Sequence, residues 1–465
     1  MERNIGMRDG KINSLLWKFS LPAIIGMLVH ALYNIVDRIF VGRGVGYIAI
    51  SATTVAFPIM LIMMGVSILI GIGATALISL RLGEQKKEEA EKVTGNGIAM
   101  MIILPLLLTV FYLFFSEPIL KMFGASDEVL PYARDFTHII MLGSIFGSIS
   151  MGMNNFIRAE GNPTFAMTTQ IVGALINIVL NYIFIFELGL GIKGSALATV
   201  SGQGISALLV LYYYMSGRSL IKIRLKNIKL QLPILISIMS IGFAPFAMQI
   251  ANSIQQMIIN KALVAYGGDM ALSALGIMMS IATLLFMPLI GISQGAQPLI
   301  GYNYGARQYD RVKETLRKAV IAGTCICLAF YLVIHIWPTQ IVGLFSKENA
   351  ALTQMTSQAM LVYFAMLPIL AFQILCATYF QAVGKPIQST ILSLSRQVLL
   401  FIPLLLILPR FWGIDGVWRT APIADSLAAL LTAILIYLEM KKINKVRRAA
   451  ESEGTVIFRT GLKQV

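Results

Sequence analysis

The chain has 465 residues, 57% of them hydrophobic and 13% charged, with mean hydropathy +0.78. Soluble domains carry about 25% charged residues, so a soluble globular body is excluded. The formal net charge of +15 would suit a nucleic-acid binder, but the charges flank apolar runs and form no folded basic surface. Nucleic acid is therefore not an expected partner.

In chain order, apolar runs long enough to cross roughly 30 Å of hydrocarbon fall at 15–40, 54–80, 95–115, 135–156, 166–187 and 194–215. Six more follow at 234–263, 275–300, 317–337, 355–380, 388–409 and 417–440. Met1 to Lys11 is short and polar, and no small-residue cleavage site follows the first run, so no cleavable leader is expected. With the N-terminus placed inside, 27 of the 37 Lys and Arg fall on the inner side, 9 on the outer side, and Arg396 lies mid-span. This bias is the positive-inside signal and sets both termini in the cytoplasm. The tail from Lys441 and the stretch Arg218 to Lys229 are expected against anionic lipid head groups. The latter is spaced like an amphipathic segment on the inner surface or a solvated tether. Cys325, Cys327 and Cys376 lie within spans and read as small core residues.

The first half recurs in the second. Ala49-Ile50-Ser51-Ala52 answers to Ala271-Leu272-Ser273-Ala274 at an offset of 222, and Gly161-Asn162-Pro163 to Gly384-Lys385-Pro386 at 223. Gly73 to Gly83 answers to Gly295 to Gly305, again at 222. Two parallel repeats of six spans imply a pseudo-symmetric transporter with its site between the halves. The expected fold is an all-α integral membrane protein of twelve transmembrane helices in two pseudo-symmetric six-helix bundles. Its domains are 1–215, a linker at 216–233, 234–440, and a basic tail at 441–465.

Polar groups inside the spans are costly unless they face a cavity or a partner. Asp37 in helix 1 shares a face with Asn34, Tyr33 and His30. It suits a proton carrier or a ligand for a monovalent cation, the alternative being a structural pair with Arg38 or Arg43. Helix 5 adds Gln170, Asn177 and Asn181; helix 6 adds Thr199 and Gln203. In the second half Asn260 stands at the place of Asp37, ending a neutral stripe of Gln249, Asn252, Gln256 and Asn260. Such a stripe is fit to line a wet cavity. Arg396 replaces Gly173 and is expected to face the interior, where Asp425 could pair with it. Met pairs, among them Met278-Met279, suit a promiscuous site or core filling. Pro22 and Pro245 are repeat partners where helices 1 and 7 could bend.

At these residues a family resemblance emerges. Asn34-Ile35-Val36-Asp37-Arg38-Ile39-Phe40-Val41-Gly42, Arg158 to Pro163, Gly191 to Thr199 and Gly295 to Ala306 resemble the signatures of the multidrug and toxic compound extrusion (MATE) family. Arg396-Gln397-Val398 and Pro422-Ile423-Ala424-Asp425 are similar to its MepA-like bacterial branch. The resemblance implies a twelve-helix antiporter in the bacterial inner membrane, not an enzyme, that expels cationic, often aromatic drugs in exchange for protons or sodium. No cofactor, and no metal other than sodium at Asp37, is implied, and a monomer is expected. The family's ion site carries over to Asp37, Asn177 and Thr199, whereas a position often acidic in the family is Asn181 here. A lipid-linked sugar flippase of the same superfamily is the alternative; it would be expected to carry a cationic cavity.

Overall fold

The computed structural model describes residues 7–343 and 350–461. The extreme ends of the expected first domain and basic tail, at 1–6 and 462–465, lie outside the described residues. So do the side chains of Asn34, Arg38 and 446–461.

Chain order gives α1 Ile12–Gly44, α2 Tyr47–Gly83 and α3 Lys87–Met122. Helix α4 is two pieces, Leu130–Leu142 and Ser144–Ala159, bent by 52° at Gly143. Helix α5 runs Pro163–Tyr182 and widens into a π turn at Ile183–Glu187; α6 is Gly191–Met215. After the linker come α7 Leu232–Gly268 and α8 Met270–Gly305, then α9 Tyr309–Ile336. Helix α10 is Ala350–Tyr363 and Leu367–Ala382, bent by 51°. The long apolar helical stretch Pro386–Lys445 turns at Gly413 (φ 55°), which divides it into α11 (386–412) and α12 (414 onward). Among the described residues nine helices are long and apolar enough to span, eleven with each bent pair counted as one, and the turn at Gly413 divides the longest to give twelve. Only helices and closed barrels satisfy every backbone group in lipid, and the apolar runs supply the helices.

The repeat is written into the backbone. Gln85 and Arg307, 222 apart, are the two non-glycine residues with positive φ among those described (62° and 58°). Each such residue costs about 1–3 kcal/mol, and the fold accepts that cost twice at one equivalent turn. Gly161 (φ 88°) and Gly384 (φ 71°) end α4 and α10 in the same way. Each is followed two residues on by a proline opening the next helix, where a missing N–H costs nothing.

The halves meet tightly on the side where α1 begins. A Cβ added at Gly83 would lie 2.0 Å from the Tyr302 carbonyl oxygen; one at Gly305 would lie 2.2 Å from that of Leu80. These are mirror contacts, since 80 + 222 = 302 and 83 + 222 = 305. Gly73 meets α7 at Ile238 and Gly242, and Gly295 meets α1 at Ser20. Small residues let backbones approach in membranes. The buried Arg158 donates across the seam to Gln294 Oε1. Arg311 of α9 donates to the carbonyls of Met7 (3.1 Å) and Gly10 (2.7 Å) ahead of α1. At the opposite ends the pattern reverses, and Thr54, Phe57, Gly276 and Thr283 are exposed. The close backbone contacts between the halves described here thus gather on the side where α1 begins.

The linker, expected as an amphipathic segment on the inner surface or a solvated tether, holds one short 3₁₀ turn, Leu225–Asn227. It is not a free tether. Glu160 accepts from Ser219 Oγ (2.7 Å) and Leu220 N (2.9 Å), Glu91 from Lys222 N (3.2 Å), and Asn96 Oδ1 from Gln231 N (2.7 Å). Arg224 pairs with Glu91 at 3.1 Å, and Ile221 is fully buried. The linker is a strap bound to the first half. Burial pushes the Glu160 carboxyl up to about 7, against the lowering effect of its Ser219 and Leu220 bonds. Cys327 and Cys376 are buried as expected, but Cys325 is exposed, because two positions along a helix turn a side chain to another face.

Candidate ion and substrate site

Asp37 lies seven residues before the end of α1, about 10 Å along the axis. Its Oδ1 accepts from Asn181 Nδ2 of α5 and from Ser195 Oγ of α6 at 3.0 Å. One turn deeper, Asn177 Nδ2 donates to Thr199 Oγ1 at 3.3 Å. Asn177, Asn181, Ser195 and Thr199 are all buried.

Local packing explains the convergence. Helices α5 and α6 touch backbone to backbone. A Cβ at Gly202 would lie 2.7 Å from the Gly173 carbonyl oxygen, and one at Gly194 would lie 2.9 Å from that of Phe184 in the π turn. That approach brings Ser195 and Thr199 to the face of α5 that carries Asn177 and Asn181. Both amides spend their N–H groups within the cluster. Their Oδ1 atoms are buried without a partner. A buried unsatisfied acceptor costs about 1–3 kcal/mol. The cluster therefore holds one carboxylate, two unspent carbonyl oxygens and two hydroxyls, a set of oxygen donors that suits sodium.

Ser195 was missed in the sequence reading. The signal was available, since 195, 199 and 203 are spaced i, i+4, i+8 on one helix face. Other expected residues lie elsewhere. Gln203 packs against Gly147 of α4. Gln170 sits at the closed seam, where it accepts from Arg158 Nη2 at 3.4 Å and its Oε1 abuts Gly26. His30 and Tyr33 form an edge-to-face pair with ring centres 4.8 Å apart, and His30 is exposed. The side chain of Asn34 is outside the described residues. Helices α1 and α7 run on through Pro22 and Pro245 without a break in helical geometry there.

In the second half, Gln256 Nε2 donates to Asn260 Oδ1 at 2.9 Å. Both line a cavity of about 520 Å³ with Met279, Thr283 and Phe286. Further down the same stripe, Gln397 Nε2 of α11 donates to Asn252 Oδ1 at 2.6 Å; Gln249 is half-buried. Arg396 is held inside the bundle, its Nε 2.5 Å from Asp425 Oδ1 of α12. Among the described residues no group of three His, Cys, Asp or Glu could hold a metal ion.

Two pseudo-symmetric six-helix halves, closed at one end and carrying polar groups at mid-span, define a multi-pass membrane transporter architecture. The MatE family model matches twice, at residues 22–183 and 245–407, one match per half. The chain belongs to the MatE family. It is 28% identical over 420 residues to the multidrug export protein MepA of Staphylococcus aureus (strain N315), covering 90% of this chain and 92% of that one. The MepA of Staphylococcus saprophyticus is 26% identical over 436 residues, covering 94% and 96%. Among solved structures, an outward-facing multidrug resistance MATE family transporter superposes with TM-score 0.89 at 24% identity, covering 95% of this chain and 99% of that one. A transporter of the MOP superfamily from Pyrococcus furiosus, described as having a binding pocket of reverse polarity, gives 0.87 at 23%, covering 95% and 98%.

Proposed function

We propose that this chain is a secondary active multidrug exporter that expels cationic, often aromatic compounds by alternating access, in exchange for protons or sodium. The observation that carries the coupling is Asp37, with Asn181 and Ser195 bonded to it and unspent amide oxygens beside it. A carboxylate so placed can take a proton, or hold a cation with its neighbours. The neutral polar wall of Gln256 and Asn260 and the soft side chains of Met279 and Phe286 suit flat cations. The MepA relatives support export of many drugs. We assign 1–215 and 234–440 as the two moving bodies, 216–233 as the linker and 441–465 as a basic tail on anionic lipid. The membrane is the bacterial inner membrane, the termini are cytoplasmic, and the closed seam is the cytoplasmic gate of an outward-open state. The working unit is a monomer without cofactor.

A lipid-linked sugar flippase is the weaker reading. It would need a cationic cavity, and Arg396 is neutralised by Asp425. The test is dye transport in inverted vesicles under a pH gradient alone and then a sodium gradient alone. Acceleration by one gradient supports the antiport. Acceleration by neither refutes it.

A further inference from the structure

We infer that Arg396 forms a carboxylate-reading subsite in the second half, so that zwitterionic substrates are held there by their acid group. The inference rests on the export reading above and adds a substrate class to it. Its starting point is the repeat. With an offset of 223, Gly173 answers to Arg396 and Gly202 to Asp425. In the first half those two glycines are the backbone contact between α5 and α6. In the second half the same spot holds a cation and an anion. Two glycines suffice to join the helices, so the ion pair is not needed to close the bundle. Charges at mid-membrane persist where they face a cavity or a pathway.

The geometry leaves the guanidinium half used. Only Nε contacts Asp425, end-on, through one oxygen at 2.5 Å. The Nη1–Nη2 edge has no hydrogen-bond partner among the described residues, and the side chain is 22% exposed. That edge is the planar fork that binds a carboxylate through two parallel N–H···O bonds. Helix α11 is a π-helix over Ser395–Phe401, where Arg396 sits, and π-bulges mark functional sites in helices. Gln397, the next residue, is bonded to Asn252 on the polar stripe of α7 that leads to the cavity. Tyr363, at the break in α10, lies within the field of both charges.

The electrostatics select the ligand. Arg396 and Asp425 together are neutral, so a simple anion would leave one negative charge uncompensated at mid-membrane. A zwitterion brings its own cation. The pair therefore favours molecules bearing both a carboxylate and an amine over plain anions.

The probes are a fluoroquinolone zwitterion and its carboxylate methyl ester, a monocation. Their binding is measured by fluorescence on the purified full-length protein in nanodiscs. Arg396→Lys keeps the ion pair and removes the fork; Arg396→Gln with Asp425→Asn removes both charges together and guards against a folding failure of the first variant. In both, the zwitterion should bind at least tenfold more weakly, while the ester, which lacks the group Arg396 reads, should change at most twofold. Equal weakening of both ligands, or no weakening of the zwitterion, overturns the subsite. A wild type that binds the ester but not the zwitterion overturns the subsite and leaves the export reading standing. A wild type that binds neither overturns both.

Discussion

The two halves share a backbone and differ in where they put charge. The first half has Asp37 in α1 and a glycine contact between α5 and α6; the second has Asn260 in α7 and an ion pair between α11 and α12. Turn geometry is kept to the residue, as Gln85 with Arg307 and Gly161 with Gly384 show. Fold and chemistry have thus separated. Pseudo-symmetry supplies the rocking frame. The charges break the symmetry: one half carries an acid hydrogen-bonded to Asn181 and Ser195, the other an ion pair between Arg396 and Asp425.

The largest expected effect tests the first half. Asp37→Asn should abolish export while leaving membrane levels normal, because Asp37 supplies the carboxylate that Asn181 and Ser195 hydrogen-bond. Full drug resistance in cells expressing the variant at wild-type level would remove Asp37 from the mechanism. The same test on Asn260→Asp asks whether the halves are interchangeable, and it should not restore export to Asp37→Asn.

Next comes the ion pair. Asp425→Ala leaves Arg396 buried without its partner, and breaking a buried pair costs about 3–5 kcal/mol. The double change Arg396→Leu with Asp425→Leu should be much closer to wild type in thermal stability. Equal losses in single and double variants would show that the pair is not coupled.

Glu160 gives a pH test confined to the strap. Its carboxyl, about 7 in the fold, titrates near 4.3 in an unfolded chain. The folded protein therefore holds this proton over a window in which the unfolded chain has lost it. Its contribution to stability is complete below about 4.3 and is lost as pH rises through 7. The loss is of order 4 kcal/mol. Wild-type Tm should fall between pH 5 and pH 8, and Glu160→Gln should flatten most of that fall. An unchanged slope would place the titration elsewhere.

The smallest effect is a gain. Asn181→Asp adds a carboxylate beside Asp37 and should strengthen sodium binding by about tenfold, roughly 1.4 kcal/mol, measured by calorimetry on the purified pair. Equal or weaker affinity would contradict the cluster geometry.

Much of this was legible in the sequence because hydrocarbon thickness fixes the length of an apolar run. Span 95–115 was visible, but α3 extends over Lys87–Met122, since helical hydrogen bonding continues past the membrane into charged turns. The break in α4 at Gly143 was not foreseen. That in α10 falls just before Pro368, one of the prolines expected to break spans, which lacks an N–H for the Phe364 carbonyl. Asp37, Asn181, Asn177 and Thr199 were found because carboxylates and amides stand out among apolar residues. Ser195 was hidden by its small size, which suits it to a core as readily as to a site. The seam glycines were visible as repeat anchors, yet which backbone each would meet depended on tertiary contact.

The central claim is that ion binding at Asp37, in one half alone, drives exchange between the two states of a symmetric frame. A ligand can shift two states only by its differential affinity for them. Spin labels near Gly44 and Gly267, at the ends of α1 and α7 away from the seam, report that exchange directly as a distance distribution. The account predicts that the distribution shifts between pH 5 and pH 8, or on adding sodium, in wild type and stays fixed in Asp37→Asn. An unchanged distribution in wild type under both conditions, or the same shift in the variant, would contradict it.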